Sequence, residues 1–175
     1  MAAGLRLLAA DMLANGERRI RDRQFEDAIL RAYRVLELTG QIRLFARGLD
    51  SARLPADHPD VVALVRKLDK KGSKGFGPNK DGTLNAGREL VARLLKQMGD
   101  QLAKRLLSFD DPFPVLKVTA RNTSVLIHGF TAAGPGNAAP LHDLYQGLEA
   151  VLLEDSGESA RHIIAVARSL NLAAR

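Results

Sequence analysis

Apolar residues recur at helical spacing along most of the chain. The clearest stripe begins at Phe25 and ends near Gly48, a residue type that suits the position just past a helix end. Gly99 predicts a break within the fourth helical segment, and 155–157 separates the last two. The predicted helices cover residues 4–23, 25–48, 60–71, 84–107, 140–154 and 158–171.

Glycine and proline predict long flexible loops near 72–82 and 129–140, and two prolines predict a shorter loop over 50–59. No segment alternates convincingly between apolar and polar residues with a period of two, and no repeat has a fixed period. The expected fold class is therefore all-α, a helical bundle of about 6–7 helices.

The segment 112–128 carries helix signals at both ends. Asp111 is a preferred N-cap, Pro112 is favoured at the first helical position, and Gly129 suits the residue after the helix. Frequent Val, Thr and Ile leave a strand over 124–130 as the alternative. We expect the helix, because both ends are marked and the neighbouring segments are helical.

Composition excludes several classes of protein. The chain has no Cys, which removes disulfides, thiolate metal sites and a Cys nucleophile. No apolar run approaches the ~20 residues that cross a membrane, and the first residues resemble no signal peptide. We therefore expect a cytoplasmic protein without a membrane partner.

The net charge of +6 lies entirely within residues 1–80, since residues 81–175 balance. Its densest part is 66–80, where Asp69 is the single acid. A basic segment of this kind attracts phosphate groups, although it is also typical of a solvated loop. Its lysines, the candidate phosphate ligands, are Lys67, Lys70, Lys71, Lys74 and Lys80.

Arg121 and His128 would share one face of the predicted helix. Seven residues make about two turns, so the side chains are offset by ~20° and by about 10.5 Å along the axis, with Asn122 on the flank. That separation suits two donors that hold a phosphodiester between them. We expect the helix dipole to raise the pKa of His128, because the residue lies in the last turn.

No metal or other cofactor is expected. No carboxylate lies in 112–142, so this segment alone cannot build a metal-dependent nuclease site. His58, His142 and His162 have no carboxylate or His three or four residues later that would complete a zinc site.

The segment from Arg121 to His128 reads RNTSVLIH. It resembles the signature of HEPN-domain ribonucleases, which is an Arg followed by a polar residue that is often Asn, with four to six residues in total before a His; here there are six.

A wider resemblance spans roughly 11–155. The strings DMLANGERR (11–19), FEDA (25–28) and RAYRVLEL (31–38) look like the helical C-terminal domain of a CRISPR-associated family. Its members join an N-terminal CARF sensor domain to a HEPN-like domain. An Arg-Asn-x-Ser-x-Leu-x-His-Gly-Phe string lies late in that domain, as 121–130 does here.

The resemblance implies a dimeric, metal-independent endoribonuclease in antiviral defence. The Arg and His of both copies would form one composite site, where an RNA ribose hydroxyl attacks its own phosphate and leaves a cyclic phosphate. Arg121 would clamp the phosphate, Asn122 would order the site, and His128 would position or protonate the leaving oxygen. In such systems cyclic oligoadenylate bound to CARF activates the site, and the lysines of 66–80 would guide RNA.

The chain departs from that family in one respect: its sequence contains no βαβ pattern of the kind that would indicate a CARF domain. We therefore expect one helical HEPN-like domain over 1–175. Two alternatives stay open: a non-catalytic helical dimerisation or RNA-binding module that keeps a relic motif, and the toxin of a HEPN toxin–antitoxin pair.

Overall fold

The structure, a computed structural model, describes residues 2–69, 77–109 and 138–173. These ranges contain six α-helices and one sheet of two short strands, which confirms the all-α prediction. In chain order the elements are α1 (Ala2–Arg21), α2 (Phe25–Phe45), β1 (Leu54–Pro55), α3 (Pro59–Leu68), β2 (Thr83–Leu84), α4 (Arg88–Gln97), α5 (Ala103–Ser108) and α6 (Ala138–Ala173).

The chain forms two compact units, which are described separately. The first contains the described parts of Met1–Thr39 and Ser108–Arg175, and the second contains those of Gly40–Leu107. Helix α2 begins in the first unit and ends in the second.

In the first unit, α6 folds around α1. Arg6 Nε lies 3.1 Å from Asp155 Oδ2, and Gly16 lies against the Tyr145 ring, so α1 is antiparallel to residues 138–156. Gly157 has a φ of 56° and divides α6, as the predicted break at 155–157 requires. Residues 158–173, the C-terminal arm, then run back along α1.

The core of the first unit comes from all three helices. Small side chains on α1 and α2 allow the helices to approach closely, and larger ones on α6 fill the space between them. The fully buried members with the least exposure are Ala9, Leu13, Ala28, Ala32, Val35, Leu38, Leu144 and Leu148.

Helix α2 ends where its sequence predicts. Gly48 adopts a φ of 75°, and the amide of Leu49 donates to the Leu44 carbonyl at 3.0 Å, which satisfies an end-of-helix acceptor. Gly40 lies inside the helix, and Val91 packs against it. A Cβ atom at residue 40 would be 2.8 Å from Val91 Cγ1, so a larger side chain does not fit there without a shift.

The predicted helix over 84–107 is wrong at its start. Leu84 lies in β2 and pairs with Leu54 of β1, and α4 begins only at Arg88. Just beyond the paired residues, the carbonyl of Gly82 (φ 75°) accepts the Ala56 amide at 3.0 Å, and two paired residues are too short for an alternating pattern. The predicted break is confirmed, because Gly99 (φ 75°) separates α4 from α5.

Arg43 near the end of α2 and Arg47 just after the helix share one partner in the second unit. Arg43 Nη2 and Arg47 Nη2 lie 2.9 and 2.7 Å from Asp100 Oδ2, whose side chain has no exposure. Asp100 Oδ1 also accepts the Leu102 amide at 2.9 Å, so the carboxylate connects α2 to the turn before α5.

Some predictions fall on other parts of the chain. The helix over 112–128 and its strand alternative, together with parts of the loops near 72–82 and 129–140, lie outside the described residues.

Candidate functional site

The predicted catalytic residues Arg121, Asn122 and His128 lie outside the described residues. Their roles therefore stay predictions from the sequence. The same holds for Lys70, Lys71 and Lys74 of the basic segment.

Lys67 and Lys80 are the two predicted RNA-binding lysines within the described ranges, and both are exposed. Lys67 lies in the last turn of α3. Lys80 lies in the turn before β2, next to Asp81, where the hydrogen bond from the Thr83 hydroxyl lowers the pKa of the Asp81 carboxyl.

Lys67 belongs to a groove between α3 and α4, which we call the α3–α4 groove. Its volume is about 250 Å³. Gln97 Nε2 donates to the Asp60 carbonyl at 2.7 Å, so the end of α4 lies beside the beginning of α3. The lining residues are Leu64, Lys67, Leu68, Arg93, Lys96, Gln97 and Leu107.

Sequence reasoning identified one polar member of this groove and missed three. Arg93, Lys96 and Gln97 follow each other at positions i, i+3 and i+4 of α4, so they share one exposed face. That spacing was a usable signal. The proximity of Lys67 to these residues could not be predicted from the sequence, because it depends on how α3 packs on α4.

A second cavity, of about 450 Å³, lies in the first unit between α1 and α6. Arg168 of the C-terminal arm spans it: Nε donates to Glu17 at 2.9 Å, and Nη1 donates to Glu149 at 2.9 Å. The hydrogen bonds to Glu17 and then to Glu149 raise the pKa of the Arg168 guanidinium. Both carboxylates are thus committed to Arg168, while Arg21 and His142 line the same cavity.

The histidines with described positions form no metal site. His58 caps α3, with its Nδ1 accepting the Asp60 amide at 3.3 Å, while His142 and His162 are exposed. Within residues 2–69, 77–109 and 138–173, no three His, Cys, Asp or Glu side chains are grouped closely enough to hold a metal ion.

None of the helices in the described ranges is both long and apolar enough to cross a membrane.

Comparison with known families agrees with the sequence resemblance. Residues 3–152 match the family model described as the Csm6 HEPN domain, and this match covers most of the chain. No curated protein matches the chain. The chain belongs to the Csm6 HEPN domain family of CRISPR-associated proteins.

Proposed function

We propose that this chain is a metal-independent endoribonuclease domain that acts as a dimer in CRISPR-linked antiviral defence. The observation that carries the proposal is the Arg121–His128 string within a chain that belongs to the Csm6 HEPN family. Family membership supports a CRISPR-associated role, and the string supplies the two side chains that such chemistry requires.

The reaction would need no metal ion. The ribose 2′ hydroxyl loses its proton to solvent water as its oxygen attacks the adjacent phosphorus, a bond to that oxygen forms, and the bond to the 5′ oxygen of the next nucleotide breaks. The products are a 2′,3′-cyclic phosphate and a 5′ hydroxyl. Arg121 would stabilise the charge on the phosphate, and Asn122 would keep the site in order. His128 would donate the proton that the departing 5′ oxygen takes up.

The seven-residue spacing of Arg121 and His128 favours a site that two copies of the chain form together. On one helix Arg121 and His128 would be about 10.5 Å apart along the axis, too far for a single-chain catalytic pair in direct contact. A second copy would bring its own Arg121 and His128 to the same phosphodiester. In a longer relative, a CARF domain that binds cyclic oligoadenylate would control this arrangement.

The test is cleavage of varied single-stranded RNAs in EDTA. We expect the wild type to produce cyclic phosphate ends and His128→Ala to be slower by a factor of about 10²–10⁴, the usual contribution of a positioned acid. His162→Ala, which removes an exposed histidine, should cleave as the wild type does. Inert wild-type protein, even with a sensor domain and its activator supplied, would overturn the nuclease proposal.

A further inference from the structure

The α3–α4 groove combines cationic side chains with an apolar floor. Lys67 and Lys96 are exposed, and neither has an ion-pair partner among the residues that the structure describes. Leu64 of the floor is buried, and Leu68 and Leu107 are half-buried. These two cationic side chains lie beside an apolar surface. Together they fit a ligand that has both an anionic group and a flat apolar part.

Arg93 adds an oriented guanidinium to this surface. Its Nε and Nη2 donate to the same oxygen of Glu89, at 2.9 and 2.6 Å, while 44% of the side chain stays exposed. The two hydrogen bonds restrict the plane of the guanidinium, and the exposed part of the side chain can contact a ligand. A planar cation held in this way can stack on a nucleobase.

Gln97 is fixed in a similar manner. Its amide nitrogen donates to the Asp60 carbonyl at 2.7 Å, which sets the side-chain orientation and leaves the amide oxygen as an acceptor for a base amino group. Glu89 pairs with Arg93, and Asp60 lies 3.9 Å from His58.

We propose that the α3–α4 groove binds a single-stranded segment of RNA. Phosphates contact Lys67 and Lys96, and an unstacked base lies over the Arg93 guanidinium and the leucine floor. A single strand is required because a duplex keeps its bases stacked and presents phosphates and hydroxyls instead. The volume of about 250 Å³ accommodates one base rather than several.

The choice of RNA rests on the proposed function, but the groove is built from residues other than Arg121 and His128. It would extend the contact between enzyme and substrate beyond the cleaved phosphodiester. Binding and cleavage can therefore be measured separately, and each proposal can fail without the other.

The experiment measures binding of a labelled, unstructured RNA of twelve nucleotides by fluorescence anisotropy, in a His128→Ala background that preserves the probe. We expect Lys67→Ala/Lys96→Ala to raise Kd at least tenfold at low salt. The slope of log Kd against log salt should fall by roughly 1.4, because each lost phosphate contact on a single strand contributes about 0.7.

The matched control is Lys104→Ala/Arg161→Ala, which removes the same charge from exposed positions outside the groove. We expect its Kd to change less than threefold. Lys67→Arg/Lys96→Arg should restore binding, which separates charge from folding.

Arg93→Lys tests the stacking contribution, since it keeps the charge and removes the plane. We expect a three- to tenfold weaker affinity with an unchanged salt slope. For a duplex of the same length, the Kd of this variant should equal that of the wild type.

Two results would overturn the inference: an unchanged Kd in Lys67→Ala/Lys96→Ala, or an equal loss in the charge-matched control. If the wild type fails to cleave RNA but the groove variant loses binding as expected, the nuclease proposal fails and the groove inference stands. If the wild type cleaves RNA and the groove variant binds normally, the reverse holds.

Discussion

The hydroxyl oxygen of Tyr145 lies in the space that a side chain at Gly16 would occupy. Tyr145 is fully buried, and its hydroxyl donates to the Ala28 carbonyl at 2.6 Å. One residue of α6 therefore contacts α1 through its ring and α2 through its hydroxyl. The absence of a Cβ at residue 16 is what allows the three helices to approach this closely.

Gly16→Ala should destabilise the protein by about 2 kcal/mol. Because a methyl group would overlap the anchored ring, the overpacking cost lies at the upper end of its range, about 3 kcal/mol, against a gain of about 1 kcal/mol from replacing a helical glycine. Gly4→Ala is the control on the same helix, because nothing lies within 4 Å of the added atom. Urea unfolding of both variants checks the prediction, which is wrong if the two respond alike.

Tyr145→Phe should lose about 1 kcal/mol of stability at neutral pH, the usual contribution of one buried hydrogen bond. Circular dichroism melts, compared with those of the wild type, measure the loss. An unchanged melting temperature would show that the bond to Ala28 contributes nothing net.

Burial also raises the pKa of Tyr145 above its ordinary value near 10. The unfolded chain therefore releases this proton at a lower pH than the folded one. The protonated Tyr145 therefore stabilises the folded state fully below about pH 10, and this contribution to the free energy of unfolding is lost as pH rises further. Stability measured from pH 8 to 11 should fall more steeply for the wild type than for Tyr145→Phe.

Local signals in the sequence predicted the helices and their ends well. A positive φ occurs at Gly48, Gly99 and Gly157, each at a place where a helix was expected to end or break. Glycine has no Cβ and adopts this conformation without steric cost, so its presence in the sequence marks such positions. Arg23 also has a positive φ, of 59°, and nothing in the residue type announces it. Its conformation is imposed by the tight connection between α1 and α2.

Contacts between distant residues could not be predicted in the same way. Arg43 and Arg47 interrupt an apolar stretch, and the sequence does not reveal that Asp100 receives both. Likewise, Lys67 was a candidate because of the charge of its segment, whereas Arg93 emerges as its neighbour only when α3 packs on α4. Which distant residue a side chain contacts depends on how the helices pack, and the periodicity of apolar residues does not determine that packing.

Arg168→Ala should destabilise the first unit by about 1–2 kcal/mol, a value discounted because the side chain is 38% exposed. The change would leave Glu17 and Glu149 facing each other without their shared cation. Adding Glu149→Gln should recover part of the loss. Thermal melts at low and high salt measure both effects.

The control for Arg168 is Arg161→Ala on the same arm. Arg161 pairs with Glu158, and both side chains are well exposed, at 67% and 83%. Exposed pairs contribute little, so we expect a change below about 0.5 kcal/mol. Equal losses in the two variants would contradict the role assigned to Arg168.

Asp100→Asn should cost about 2–3 kcal/mol, because two guanidinium groups would lose the charge that they share in a buried position. The partial exposure of Arg43 and Arg47, 25% and 27%, reduces the penalty below that of a fully buried pair. Asp57→Asn, at an exposed carboxylate, should leave stability unchanged. Denaturant midpoints for the two variants decide between a structural carboxylate and an incidental one.

The proposed composite site predicts that an inactive subunit disables an active one. If each site requires His128 from both copies, adding excess His128→Ala to a fixed amount of wild type should drive cleavage towards zero, because wild-type chains become paired with inactive partners. Subunit exchange is verified by co-purification of differently tagged chains, and an equal mass of unrelated protein serves as the control. Cleavage that persists unchanged after verified exchange would mean that each chain acts alone. The seven-residue spacing of Arg121 and His128 would then need another explanation.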